Sequence, residues 1–192
     1  MARLENLTER GYETQKQLGN ALMELIIEKG YEKVSIKDLT ERAGIDRTTF
    51  YLHFKDKDDL FTKSQIAIIN ELVELRRTEA GPKLGVLLVF RHMSLNAKLY
   101  QAIFRTGGLI PGSASVEQYI ANSIMPLLES ELTRFGISPS VHMPAIASYI
   151  SGALRSLARW WLEAGMPQSP EEISELFIRL TTKGLLSLAE TR

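Results

Sequence analysis

The chain has 192 residues, of which 44% are hydrophobic, and its 23 basic and 23 acidic residues give a formal net charge of +0 at pH 7. This composition supports a buried core and excludes an extensively disordered chain. Because the chain has no cysteine, disulfides, thiol catalysis and zinc fingers are excluded. A neutral chain lacks the basic excess that favours nucleic acid, so any DNA-binding role must rest on a local group of residues.

The sequence shows no sign of a membrane protein. The richest apolar stretch, Leu84 to Phe90, is flanked directly by Lys83 and Arg91 and is too short to cross a bilayer. Met1 to Glu13 is mixed in charge and lacks the apolar segment of a signal peptide. We therefore expect a cytoplasmic protein that makes no membrane contact.

Helix start and stop signals occur throughout the chain, with capping residues before helical apolar patterns and glycine or proline after them. The first predicted helix runs from Thr14, which forms a capping box with Gln17, to Lys29, and Gly30 is its expected left-handed stop. The second runs from Ser35 to Gly44, and the third begins at a cap at Asp46 and continues through Phe54. The fourth begins at a cap at Asp56 and ends at about Arg77. Further helices are predicted near 83–96, 97–104, 115–135, 139–164 and 170–189. Since no period-2 alternation indicates a strand, the predicted fold is all-α with about nine helices, a three-helix head followed by a C-terminal helical bundle.

Residues 35–54 read SIKDLTERAGIDRTTFYLHF, which is two short capped helices around a glycine-centred turn. Gly44 can adopt the positive φ that reverses the chain, so the segment is predicted to be a helix-turn-helix. The first helix braces the second, whose N-terminal half enters the major groove of DNA. Arg47 and Thr48 occupy that first turn, where an arginine can make two hydrogen bonds to a guanine. Phe50 and Phe54 are predicted to be core residues.

This region resembles the DNA-binding signature of the TetR/AcrR family. The matching residues are Gly30, Tyr31, Ser35, Ile36, Leu39, Ala43, Gly44, Ile45, Thr49, Tyr51, His53, Phe54, Lys57 and Leu60. They lie in roughly the first third of the chain, and Thr40 is a departure, because the family often carries alanine there. The resemblance implies a one-component transcription regulator, with a DNA-binding domain at 1–61 and a ligand-sensing and dimerisation domain at 62–192.

The resemblance also implies roles for individual side chains. Thr49, Tyr51 and His53 match family positions that hold phosphate oxygens, and Lys57 faces a phosphate from the start of the fourth helix; such contacts set the register on DNA. Ser35 either joins them or only caps its helix, Tyr51 could be a half-buried packing residue, and His53 could be an ordinary surface histidine. The predicted DNA-binding residues are Ser35, Arg47, Thr48, Thr49, Tyr51, His53 and Lys57.

Acidic residues near this surface would repel a phosphate that they faced: Glu41, Asp46, Asp56, Asp58 and Asp59. Asp46 and Asp56 are explained as helix caps, and Asp58 and Asp59 by the positive N-terminus of the fourth helix. We therefore expect modest non-specific DNA affinity that depends on salt.

The rest of the chain contains no recognisable catalytic arrangement. The histidines, His53, His92 and His142, are far apart, and no zinc-protease, phosphate-loop or serine-hydrolase motif occurs. We therefore expect neither an enzyme nor a bound cofactor or metal.

In the family, the last two helices pair with those of a second copy. Here they carry apolar faces formed by Ile146, Tyr149, Ile150, Ala153, Leu154, Leu157 and Trp161, and by Leu176, Phe177, Leu180, Gly184, Leu185 and Leu188. Some of these positions must form the core of a single protomer. Because two heads spaced about 34 Å apart read a palindrome, a homodimer on double-stranded DNA is expected. Residues 160–172 resemble a TetR subgroup that includes dihydroxyacetone-kinase activators.

The resemblance further implies a cavity for a small-molecule effector, enclosed by helices four to eight. The candidate lining residues are Met93, Tyr100, Phe104, Tyr119, Met125, His142, Met143 and Trp160, for each of which the alternative is an ordinary core position. Effector binding would move the fourth helix and change the separation of the two heads. The expected function is therefore effector-controlled regulation, with repression the commoner output in the family. The alternative is a co-regulator of the same fold that binds a protein partner and does not read DNA.

Overall fold

The computed structural model describes residues 9–79, 82–105, 113–134 and 143–187. In these ranges the chain forms α-helices and one 3-10 turn without any strand, which confirms the all-α prediction. The helices are α1 (Glu9–Lys29), α2 (Ile36–Ala43), α3 (Arg47–His53), α4 (Lys57–Glu79), α5 (Pro82–Leu95), α6 (Ala97–Arg105), α7 (Ser113–Arg134), α8 (Met143–Glu163) and α9 (Pro170–Ser187). None of these described helices is both long and apolar enough to cross a membrane.

Local capping signals build the helix-turn-helix as predicted. Ser35 caps α2 in a reciprocal box with Asp38, and Gly44 ends α2 in the left-handed conformation, with φ 66° and ψ 33°. Asp46 then accepts a hydrogen bond from the Thr49 amide at 2.9 Å and begins α3. The turn between α2 and α3 therefore has the positive φ that the sequence indicated.

Two predicted helix boundaries differ from the structure. α1 already extends from Glu9, so Thr14 lies inside the helix and not at its N-cap. Residues 9–13 contain no proline, and extending a helix costs much less than nucleating one. Gly30 has φ 80° and ψ 151°, which is an extended conformation nearly restricted to glycine and not the predicted left-handed stop.

Two hydrophobic clusters fill the interior. The head cluster packs α1 to α4 around Leu39 and Phe50 and also receives Leu99 from α6. The body cluster packs α5 to α9 around Phe90 and Trp161. The head and the body are therefore built on separate cores that meet where α6 packs against α1.

The connection between α8 and α9 follows its sequence signals. Gly165 comes after the end of α8 with φ 79°, and Ser169 caps α9 through Glu172. Trp161 Nε1 donates to the Gln168 carbonyl at 2.9 Å, which ties α8 to this connection. α7 packs against α8, α5 packs against α9, and α4 runs from the head into the body, where it contacts α5 and α7.

Candidate DNA-binding surface and internal cavity

The recognition helix α3 presents one exposed face. Phe50 and Phe54 are 0% and 3% exposed in the head core, which confirms their prediction as core residues. Arg47 and Thr48 are exposed in the first turn, and Tyr51 is 50% exposed one turn later. Because its opposite side is anchored, this face of α3 can enter a major groove without disturbing the core.

The hydroxyls of Thr49 and Ser35 take part in helix capping. Thr49 Oγ1 donates to Asp46 at 2.7 Å, and Ser35 Oγ donates to Asp38 at 2.6 Å. Hydrogen bonds from Thr49 lower the pKa of Asp46, so this carboxylate stays ionised. Both hydroxyls therefore stabilise helix N-termini. A DNA phosphate oxygen would have to compete with the Asp46 carboxylate for the Thr49 hydroxyl proton, and with the Asp38 carboxylate for that of Ser35.

Lys57 and His53 lie at the rim of this surface, and both are half-buried. Lys57 Nζ donates to the Tyr31 carbonyl at 2.9 Å and lies 4.2 Å from the centre of the Tyr31 ring. The Tyr31 hydroxyl donates to Asp58, and burial together with this bond raises the pKa of Tyr31. The His53 carbonyl accepts from Lys63 Nζ at 3.2 Å. Since an ammonium has three donors, Lys57 keeps capacity for a phosphate.

The acidic residues near α3 are paired within the head. Asp46 caps α3 and Asp56 caps α4, as predicted. Asp59 accepts hydrogen bonds from the Lys55 amide and from Lys63 Nζ, each at 3.0 Å. Burial raises the pKa of Asp59, but these two bonds and the charges of Lys63 and Lys55 together outweigh it, so the net shift of this pKa is downward. Because the carboxylates face helix N-termini and lysines, their repulsion of DNA is reduced.

A cavity of about 270 Å³ lies between α4, α5, α6, α7 and α8. Its wall is mostly aliphatic and aromatic. The polar side chains in the described part of that wall are Gln65, Glu117, Ser123, Ser151 and Arg155, besides the Tyr100 hydroxyl. The volume is just below the usual range for small-molecule sites, about 300–1,000 Å³.

Of the predicted pocket residues, Met93, Tyr100 and Phe104 line this cavity. The sequence predicted that the fourth helix borders the cavity, but none of the predicted lining residues lies on α4, which supplies a large part of the wall, including Phe61 and Gln65. A signal for this was present in the sequence. Beyond its first turns, α4 carries apolar residues at 66, 68, 69, 72 and 73, which are more apolar side chains than packing against the head alone would require.

The other predicted pocket residues that the structure describes lie outside the lining. The Tyr119 hydroxyl donates to an amide oxygen on α4, which ties α7 to α4 outside the lining. Met125 and Met143 pack with the body cluster. Trp160 is 49% exposed, because the next residue takes the inward position on α8. His142 falls outside the described residues.

His92 lies on α5 beside the cavity residue Met93 and is half-buried. Its Nε2 is buried and has no hydrogen-bond partner in the described ranges, and its ring meets that of Tyr100 edge-on at 5.8 Å. Burial lowers the pKa of His92, and the charge of Glu71 offsets part of this shift. The structure therefore favours the neutral imidazole.

Acidification from pH 7.5 to 5.5 is expected to lower the Tm of the wild-type chain more than that of His92→Leu. Above the ordinary histidine pKa of about 6.5, the imidazole is neutral in the folded and unfolded states alike. Below it, the unfolded state binds the proton more readily, so stability falls as the pH drops toward the depressed folded pKa. Since His92 is partly solvated, the difference should be on the order of 1–2 °C. Scanning calorimetry at both pH values measures it, and equal decreases in the two proteins would contradict it.

Comparison with known proteins agrees with this architecture. Residues 20–63 match the family model of bacterial regulatory proteins of the tetR family, and residues 82–183 match that of a transcriptional regulator C-terminal region. The HTH-type dhaKLM operon transcriptional activator DhaS of Lactococcus lactis is 30% identical over 91 residues, which is 47% of this chain and 49% of that protein. Two further curated relatives are matched over 44% and 42% of their own lengths.

Solved structures show the same fold. The dihydroxyacetone kinase operon activator DhaS superposes with a TM-score of 0.66 at 21% identity, covering 90% of this chain and 96% of that one. Bacillus subtilis FadR in complex with stearoyl-CoA superposes with a TM-score of 0.65 at 19% identity, covering 86% of this chain and 96% of that one. The likeness extends over the head and the body together.

Proposed function

Because the chain belongs to the TetR family of bacterial transcriptional regulators, we propose that it binds a palindromic operator as a homodimer and acts as an effector-controlled repressor. Its helix-turn-helix is a DNA-binding domain of that family. The observation that carries the proposal is the exposed face of Arg47, Thr48 and Tyr51 on a helix packed into the head core. The proposed domains are a DNA-binding head at 1–61 and a sensing and dimerisation body at 62–192.

Fluorescence-anisotropy titration with the DNA that flanks the coding region tests this function. Specific binding that weakens as salt is added supports it, because phosphate contacts release counterions from DNA. Absence of specific binding across several salt concentrations would favour the protein-binding co-regulator instead.

The proposed dimer interface lies on α8 and α9. Tyr149 and Trp160 on α8 are 71% and 49% exposed, and Leu180 on α9 is 62% exposed. Gly152 lies between the two aromatic residues, and a Cβ added there would meet no atom within 4 Å. Large exposed apolar side chains around a small residue allow close approach of a second copy. Trp161, expected on the same face, is instead buried in its own protomer.

The double substitution Tyr149→Glu, Leu180→Glu is expected to convert the dimer into a folded monomer at micromolar concentration. Two carboxylates on an apolar contact would be desolvated without a partner. Light scattering coupled to size exclusion measures the mass. Leu95→Glu, at a position 86% exposed on α5, is the matched control and should remain dimeric. A monomeric wild-type chain, or a dimer that persists in the double variant, would refute this interface.

α4 is the proposed link between effector and DNA. Phe61 belongs to the head cluster and also lines the cavity, with its ring 5.4 Å from that of Tyr31. α1 approaches α4 closely at Gly19, where an added Cβ would lie 3.1 Å from Ser64 Oγ. A ligand that shifts α4 would therefore shift the head, with a coupling of typically ~1–3 kcal/mol. Bacillus subtilis FadR, which shares the fold, is in complex with stearoyl-CoA, and this supports a small-molecule effector for the present chain.

A further inference from the structure

The cavity between α4 and α8 has a predominantly apolar wall, with side chains such as Ile69, Val89 and Phe104. A water molecule occupies ~30 Å³ in the liquid, so the cavity volume of about 270 Å³ can hold a guest of roughly nine non-hydrogen atoms with their hydrogens. A wall of this kind favours a small hydrophobic guest, because transfer from water is favourable in proportion to the apolar area removed from it.

The two charged side chains in the described part of the lining neutralise each other. Arg155 Nη1 on α8 lies 2.5 Å from Glu117 Oε1 on α7, and both side chains are partly exposed. Because the Arg155 guanidinium is already paired with Glu117, an ionised guest would enter the apolar interior without a partner, which carries a large desolvation cost. The lining therefore selects against a charged ligand.

Gln65 on α4 supplies a specific polar contact. Its Nε2 is buried and has no hydrogen-bond acceptor in the part of the chain that the structure describes. The Ser123 and Ser151 hydroxyls, also in the lining, donate to carbonyls of their own helices, each at 2.8 Å. A buried amide N–H without an acceptor is costly, and an acceptor oxygen on a bound molecule would remove that cost.

From this arrangement we infer that the cavity takes an uncharged, largely apolar molecule of about ten non-hydrogen atoms carrying one acceptor oxygen, and that the Gln65 amide donates to that oxygen. The inference names the ligand class of the effector site and rests on the proposed function. Because Gln65 is one turn from Phe61 on α4, a ligand anchored there acts on the helix that reaches the head core.

Isothermal titration of the full chain without DNA tests the ligand class with two probes of matched length, 2-octanone and octanoate. 2-Octanone is expected to bind at least about tenfold more tightly, because octanoate brings an unpaired charge. In Gln65→Met, which keeps the side-chain volume but removes the amide, 2-octanone affinity should fall roughly five- to tenfold.

A complementary variant reduces the preference for the uncharged probe. Glu117→Gln releases the Arg155 guanidinium, so octanoate affinity should rise roughly tenfold while 2-octanone affinity is unchanged. Leu154→Trp, which fills the cavity, should weaken both probes, and its circular dichroism and Tm establish that it folds. If Leu154→Trp does not fold, the titrations of Gln65→Met and Glu117→Gln test the ligand class without it.

Three outcomes would overturn the inference. Octanoate binding to the wild-type chain as tightly as 2-octanone would exclude the uncharged class. Unchanged 2-octanone affinity in Gln65→Met would remove Gln65 as the anchor, and failure of both probes to bind would remove the ligand class. The calorimetric titration contains no DNA, so its result does not depend on operator binding. If the anisotropy titration found no specific DNA binding, the proposed function would be overturned, and the ligand-binding results would remain valid.

Discussion

Replacing Arg47 and Tyr51 together by alanine is expected to abolish specific DNA binding while leaving the fold intact. Arg47 is exposed in the first turn of α3, where a bidentate bond to a guanine is worth about 1–3 kcal/mol. Tyr51 is 50% exposed one turn later, and its hydroxyl can reach a phosphate. Since a dimer carries each residue twice, the specific association constant should fall on the order of 10³-fold.

The single variants separate the two roles. Arg47→Ala is expected to relax sequence preference at one base pair of each half-site, whereas Tyr51→Phe should weaken all DNA sequences to a similar extent. Anisotropy titrations on operator and scrambled DNA at several salt concentrations measure both effects. Lys98→Ala, which removes an exposed cation on α6, is the control and should bind as the wild-type chain does. Unchanged operator affinity in the double variant would exclude this face of α3 as the reading surface.

Trp161→Ala is expected to destabilise the fold by about 3–5 kcal/mol, the largest stability effect we predict. The side chain is 0% exposed and meets the Phe90 ring edge-on at 5.4 Å. Its Nε1 donates to the Gln168 carbonyl at 2.9 Å before α9 begins. Truncation would leave a large void in the body core and remove this hydrogen bond, so both the body core and the α8–α9 connection would be destabilised.

Trp160→Ala is the matched control, because Trp160 is the neighbouring residue and is 49% exposed. Both variants are best compared by urea unfolding in the monomeric Tyr149→Glu, Leu180→Glu background, where a lost dimer contact cannot affect the result. The free energy of unfolding should differ between them by more than about 2 kcal/mol. Equal destabilisation would mean that Trp161 is not the centre of the body core.

The helices and turns of the head form through interactions between residues close in sequence, which can be predicted from the sequence. Ser35, Asp46 and Asp56 are helix caps because their side chains reach backbone amides two or three residues away. Gly44 makes the turn because its positive φ costs glycine little. These interactions depend on neighbours within a few residues, so the helix-turn-helix and the face carrying Arg47 were predictable.

The cavity and the proposed dimer face depend on long-range packing, which helical spacing constrains only loosely. α8 is apolar around much of its circumference, so its spacing could not separate Trp161 in the core from Leu154 in the cavity and Trp160 at the surface. The cavity wall formed by α4 and the unpartnered Gln65 amide likewise arise where helices distant in sequence meet. The sequence by itself determined which segments are helical, the caps of α2, α3 and α4, and the exposed face of α3, because those depend on local interactions. Only the tertiary structure decided which side of each body helix is core, cavity or surface, because burial is a property of the packed assembly of helices.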